Sequence, residues 1–197
     1  LNALPMIGLQ SIEIETGENP THVIVWLHGL GADGNDFVPI INELKLFPDK
    51  PIRFIFPHAP ERPVSINNGY VMRAWYDIFH PDFNAQQDES GICSSQKAID
   101  ALIVREMQRG IASTHILLAG FSQGGAMVLH AGLRQINPLA GIIALSCYLP
   151  LAETLLFEAC VANAAIPIFM AHGTYDAVIP MSHAVASRDK LLAANYA

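Results

Sequence analysis

Cysteine is scarce in this sequence. Cys93, Cys147 and Cys160 are the only three in 197 residues, an odd number with no C-x-x-C spacing. That excludes a disulfide framework and leads us to expect reduced thiols in a cytoplasmic setting. Basic residues are few as well: 11 Lys and Arg stand against 18 Asp and Glu, a net charge of −7 with no basic cluster. Nucleic acid and anionic membrane surfaces are therefore not expected partners. No uninterrupted apolar run reaches the ~20 residues of a membrane-spanning helix, so no stable membrane insertion is expected. Residues 1–8 lack the charged start and long apolar stretch of a secretory signal. The eight histidines show no H-E-x-x-H or other ligand spacing, and no G-x-G-x-x-G or Walker lysine occurs. Neither a metal nor a cofactor is expected.

Apolar residues, by contrast, make up 51% of the chain and charged residues only 15%. Short runs rich in Ile, Leu and Val recur at 22–27, 52–56, 115–119, 141–146 and 166–171. Such runs suit parallel strands buried on both faces. Helical patterns at 36–46, 94–109, 124–135 and 183–194 separate them. This alternation predicts an α/β fold with a doubly wound, mostly parallel sheet and helices on both faces, in one domain spanning 1–197. Segment 57–87 breaks the pattern with Pro57, Pro60, Pro63, Pro81 and Asn67-Asn68-Gly69. It reads as an irregular insertion. Either it walls a substrate pocket near the active site, with Trp75 as a pocket residue, or it is a surface loop anchored to the core by Trp75.

The most specific motif is Gly120-Phe121-Ser122-Gln123-Gly124-Gly125, which follows a strand-like run and opens a helical one. Strand, G-x-S-x-G and helix in that order form a nucleophile elbow. Such a turn exposes the serine hydroxyl, and its glycines omit the Cβ atoms that would clash. It also sets the Gln123 amide at a helix N-terminus, where it can stabilise an oxyanion.

A serine needs a base, a group to orient the base, and oxyanion donors. His28-Gly29-Leu30-Gly31 follows the run ending at Leu27, and its position makes Leu30 the second oxyanion donor. His28 is expected to order that loop. Asp176, in His172-Gly173-Thr174-Tyr175-Asp176, lies just past a strand and downstream of the serine, as the acid should. Cys147 also follows a strand and could line the pocket; core packing is its other reading. Asp77 is expected to pair locally. His183, the one histidine after Asp176, reads as a helix-start residue.

Together with Pro57-His58-Ala59-Pro60 and Trp75-Tyr76-Asp77, these blocks resemble the carboxylesterase/acyl-protein thioesterase family of α/β-hydrolases, from about residue 23 to 192. The resemblance implies Ser122 as nucleophile, Asp176 as acid, and oxyanion amides from Leu30 and Gln123. It implies no metal or cofactor, and hydrolysis of short- to medium-chain carboxylic esters. Lysophospholipids or S-acylated proteins are substrates of some members, and a non-catalytic acyl-ligand binder is the rival from another class. The partner is a small ester or acyl substrate, and the protein a monomer or homodimer. The family carries its histidine after a final strand, with a closing helix behind it. Residues 195–197 read as the opening of that strand, so the last strand and helix, and the catalytic histidine, are expected beyond Ala197.

Overall fold

The computed structural model describes residues 8–46, 49–83 and 85–196. Six strands form the main sheet: β1 (Ser11–Glu15), β2 (His22–Leu27), β3 (Ile52–Pro57), β6 (Ile116–Phe121), β7 (Gly141–Leu145) and β8 (Ile168–Ala171). Their spatial order is β1-β3-β2-β6-β7-β8. β1 pairs antiparallel to β3 at the edge, and every other pairing is parallel. A separate hairpin joins β4 (Glu61–Val64) to β5 (Tyr70–Arg73).

Strand periodicity divides the core between the two faces of the sheet. Val23, Val25 and Leu27 of β2, Ile55 of β3, and Ile116 and Leu118 of β6 belong to the larger cluster. That cluster packs on α2 (Glu89–Gln108) and α3 (Gln123–Arg134). Trp26, Phe54, Phe56 and Ala119 point the other way and meet Phe37 and Ile40 around α1 (Ile40–Glu43). Every residue of α3 is buried. The sheet, α2 and the segment around α4 (Leu155–Glu158) enclose it, and its buried His130 and Arg134 side chains are bonded to Gln96 and Glu158. α5 (Met181–Ala193) follows β8.

Several expectations needed correction. The helix expected over 36–46 is helical only at Ile40–Glu43. Pro39 offers no amide to an α-helical ladder, and the chain around it turns through i to i−3 bonds such as Val38 to Asn35 and Ile40 to Phe37. α2 begins five residues before the expected 94, because Asp88 caps it: its Oδ1 accepts the Gly91 N–H at 2.9 Å. Segment 57–87 is not wholly irregular. The β4–β5 hairpin occupies its middle, turning through Asn68 and Gly69, whose φ angles are +55° and +75°. β1 lies outside the expected strands; its Ser-Ile-Glu-Ile-Glu alternates polar and apolar residues instead of running continuously apolar.

Of the strand expected to open at 195–197, Ala197 lies outside the described residues, as do residues 1–7 of the amino-terminal reading. Asn195 takes a left-handed turn at φ +65°, and the Tyr196 amide bonds back to Leu191 O at 3.0 Å.

Candidate active site

β6 runs into α3 through Ser122, whose backbone stands at φ +54°, ψ −120°. A non-glycine residue in that region costs on the order of 1–3 kcal/mol, so its surroundings must enforce it. The Ser122 amide donates to Leu145 O on β7 at 2.8 Å, and its carbonyl accepts from Ala126 N at 3.0 Å. Two neighbouring glycines make the turn possible. A Cβ on Gly120 would lie 2.3 Å from Gly124 O, and one on Gly124 would lie 2.3 Å from Leu27 O.

The loop after β2 comes up against this turn. His28 is buried, and its Nε2 accepts the Ala59 N–H at 3.0 Å, which leaves Nδ1–H to donate to Gly29 O at 2.8 Å. Burial lowers its pKa, so the ring stays neutral. The Trp75 indole N–H donates to His28 O at 2.9 Å, and Gly31 N donates to Arg73 O at 2.8 Å. His28 thus braces the loop from within, as expected. Among the described residues, neither the Leu30 amide nor the Gln123 amide has an internal acceptor.

Gln123 fixes its own turn as well. Its Oε1 accepts the Trp75 N–H and its Nε2 donates to Tyr76 O, both at 2.8 Å. Ser95 Oγ in turn donates to Trp75 O. The segment before α2 is thereby tied to the elbow.

A cavity of about 410 Å³ opens beside the serine, lined by Ser122, Leu30, Gln123, Tyr76, Ile78 and Phe83, among others. Its other walls include Tyr148, Val178 and Ile179. The expectation that Trp75 and Cys147 would line it meets a different arrangement. Trp75 is fully buried and stands behind the wall, because its amide and indole N–H are both bonded to the elbow and the β2 loop. Cys147 is also buried, and it borders a separate cavity of about 160 Å³ next to α5. Its thiol is pushed up to about 12 by burial and stays protonated. The wall instead uses Tyr76 and Tyr148, one residue further along in each case, joined by a 2.7 Å hydrogen bond between their hydroxyls.

Asp176 sits in the loop after β8. Its Oδ1 accepts the amides of Val178 and Ile179, both at 2.9 Å. The Ile179 amide above all, aided by that of Val178, outweighs partial burial and holds the carboxyl below its usual range. Asp176 is therefore an anion at neutral pH. Its Oδ2 lies 3.6 Å from His172 Nε2, but that nitrogen donates to Ile179 O at 2.7 Å. His183 lies in the first turn of α5 with its ring edge-on to Phe83. Among the described residues, no histidine is hydrogen-bonded to Ser122 Oγ, and no group of three His, Cys, Asp or Glu side chains could hold a metal ion.

The sequence model of the phospholipase/carboxylesterase family matches residues 9–196. This chain belongs to that family. It is 37% identical over 189 residues to acyl-protein thioesterase 1 of Cryptococcus neoformans, covering 94% of this chain and 79% of that protein. The crystal structure of Arabidopsis thaliana SOBER1 superposes with a TM-score of 0.83 at 31% identity, covering 89% of this chain and 84% of that one. Zea mays acyl-protein thioesterase 2 gives a TM-score of 0.82 at 29% identity, covering 95% and 87%. The chain is thus a hydrolase with the α/β-hydrolase fold, and no helix among the described residues is long and apolar enough to cross a membrane.

Proposed function

We propose that this protein hydrolyses carboxylic esters of short to medium acyl length through an acyl-enzyme on Ser122. The observation that carries the reading is the elbow itself: a strained serine facing an apolar cavity that Leu30 and Gln123 also line, each with an unbonded amide. In this scheme Ser122 Oγ attacks the carbonyl carbon while its proton passes to a base. The developing oxyanion is met by the two amides. Collapse expels the alcohol, which takes the proton back, and water then releases the acid by the same steps.

Asp176 is proposed to orient the base through its Oδ2, the oxygen that the Val178 and Ile179 amides leave unbonded. The scheme requires an imidazole that reaches both this oxygen and Ser122 Oγ. His172 and His183 are bonded or packed elsewhere.

A second reading is acyl-protein thioesterase activity, favoured by the name of the Cryptococcus neoformans relative. It uses the same steps with a thiolate as leaving group. Three unbridged cysteines support a cytoplasmic setting for either reading. Hydrolysis of p-nitrophenyl butyrate and of butyryl-thiocholine by the intact protein tests both. Ser122→Ala should abolish turnover of each, and undiminished turnover would overturn the proposal. The ratio of the two wild-type rates separates ester from thioester preference.

A further inference from the structure

Beyond the serine cavity lies a second compartment of about 440 Å³, and Phe83 and Tyr148 belong to the walls of both. Leu149, Leu151 and Ala152 give it an apolar strip, Gln87, Glu89 and Ser187 line it as well, and Lys190 pairs with Glu153 at its edge. We infer that Phe83 sets the acyl-length limit of the enzyme by closing this compartment off from the serine cavity. The inference rests on the ester-hydrolase reading above.

The two walls are not equivalent. Tyr148 is buried and held by the 2.7 Å bond to the Tyr76 hydroxyl, itself fully enclosed. Phe83 has no polar atom to anchor its ring. The ring packs against Tyr148 at a centroid distance of 4.7 Å and edge-on to His183 at 5.4 Å. The Phe83 and Tyr148 rings therefore stand together between two chambers of similar size, and Phe83 is the one held by packing alone. An acyl chain on Ser122 that grows along the first chamber meets that ring. With the ring gone, further methylenes would lie on Leu149, Leu151 and Ala152, gaining burial at each step.

The test compares the intact protein with Phe83→Ala and Phe83→Leu, using p-nitrophenyl butyrate, octanoate and dodecanoate. The kcat/KM ratio of dodecanoate to butyrate should rise at least tenfold in Phe83→Ala and by less in Phe83→Leu. Adding Ala152→Phe, which refills the far chamber, should reverse the gain. A parallel titration with hexanoic and dodecanoic acids, read by calorimetry, does not depend on catalysis and should show the same shift in length preference. If no ester turns over yet dodecanoic acid binds tighter to Phe83→Ala, the hydrolase reading fails and the partition stands. A length profile unchanged in either folded variant, or a gain untouched by Ala152→Phe, would overturn the inference.

Discussion

The side-chain oxygen of Gln123 accepts the backbone N–H of Trp75 at 2.8 Å, across 48 residues of sequence. With the Nε2 bond to Tyr76 O, it makes one amide side chain the clamp between the nucleophile turn and the segment that walls the cavity. Gln123→Ala would strand two buried main-chain groups, costing about 2–4 kcal/mol. Thermal unfolding should show that loss, and ester turnover should fall with it. Gln123→Glu should be nearly as damaging, since a carboxylate cannot donate to Tyr76 O.

Gly124, like Gly120, leaves no room for a side chain. A Cβ there would lie 2.3 Å from Leu27 O and 2.5 Å from His28 O, both main-chain atoms that cannot swing aside. Gly124→Ala should push the β2 loop away from the elbow and reduce kcat by at least a hundredfold, as expected when oxyanion donors are displaced. Wild-type activity in a soluble Gly124→Ala protein would contradict this geometry.

Much of this site could be read from the sequence, because its local signals are strong. The elbow's glycines are required by contacts within a few residues, so the motif announces itself. The five parallel strands were legible for the same reason, being continuous apolar runs, although β8 lies at the sheet edge with Phe169 exposed. What escaped were relationships made at a distance. Nothing near Trp75 says that its amide and indole both bond to the elbow region, and so its reading as a pocket wall competed with its reading as an anchor. β1 was missed because a charged, edge-strand alternation looks unlike the other strands. The hairpin was hidden among prolines, although Asn67-Asn68-Gly69 carried the turn chemistry that builds it.

Asp100 provides a pH-dependent prediction. Burial raises its carboxyl to about 6, opposed in part by the Gln135 amide that donates to it at 2.7 Å. The folded state then holds this proton more tightly than the unfolded chain, so its contribution is present at low pH and lost as pH rises from about 4 through 6. Asp100→Asn should therefore be more stable than wild type at pH 7.5, by about 1–2 kcal/mol after allowing for partial solvent screening. At pH 4 the two should converge. Urea midpoints at the two pH values decide it.

His130 behaves in the opposite sense. Burial first, and Arg134 second, depress its pKa to about 3, while its Nε2 meets Gln96 Oε1 at 2.9 Å. An unfolded histidine titrates near 6.5. The unfolded chain therefore takes up the proton first, and stability is lost as pH falls from about 6.5 toward 3, by on the order of 2–4 kcal/mol. His130→Asn should flatten this acid limb in urea titrations between pH 7 and 4.5, even if the variant starts from a lower stability. An unchanged slope would remove His130 as its source.

The central claim is that Ser122 is the nucleophile, and covalent capture tests it most directly. The intact protein is treated with a fluorophosphonate, digested, and the adduct located by mass spectrometry. A single adduct on Ser122 is predicted, absent in Ser122→Ala and formed at least tenfold more slowly in Asp176→Asn. A protein that never reacts, an adduct on another residue, or labelling that persists in Ser122→Ala would contradict the account.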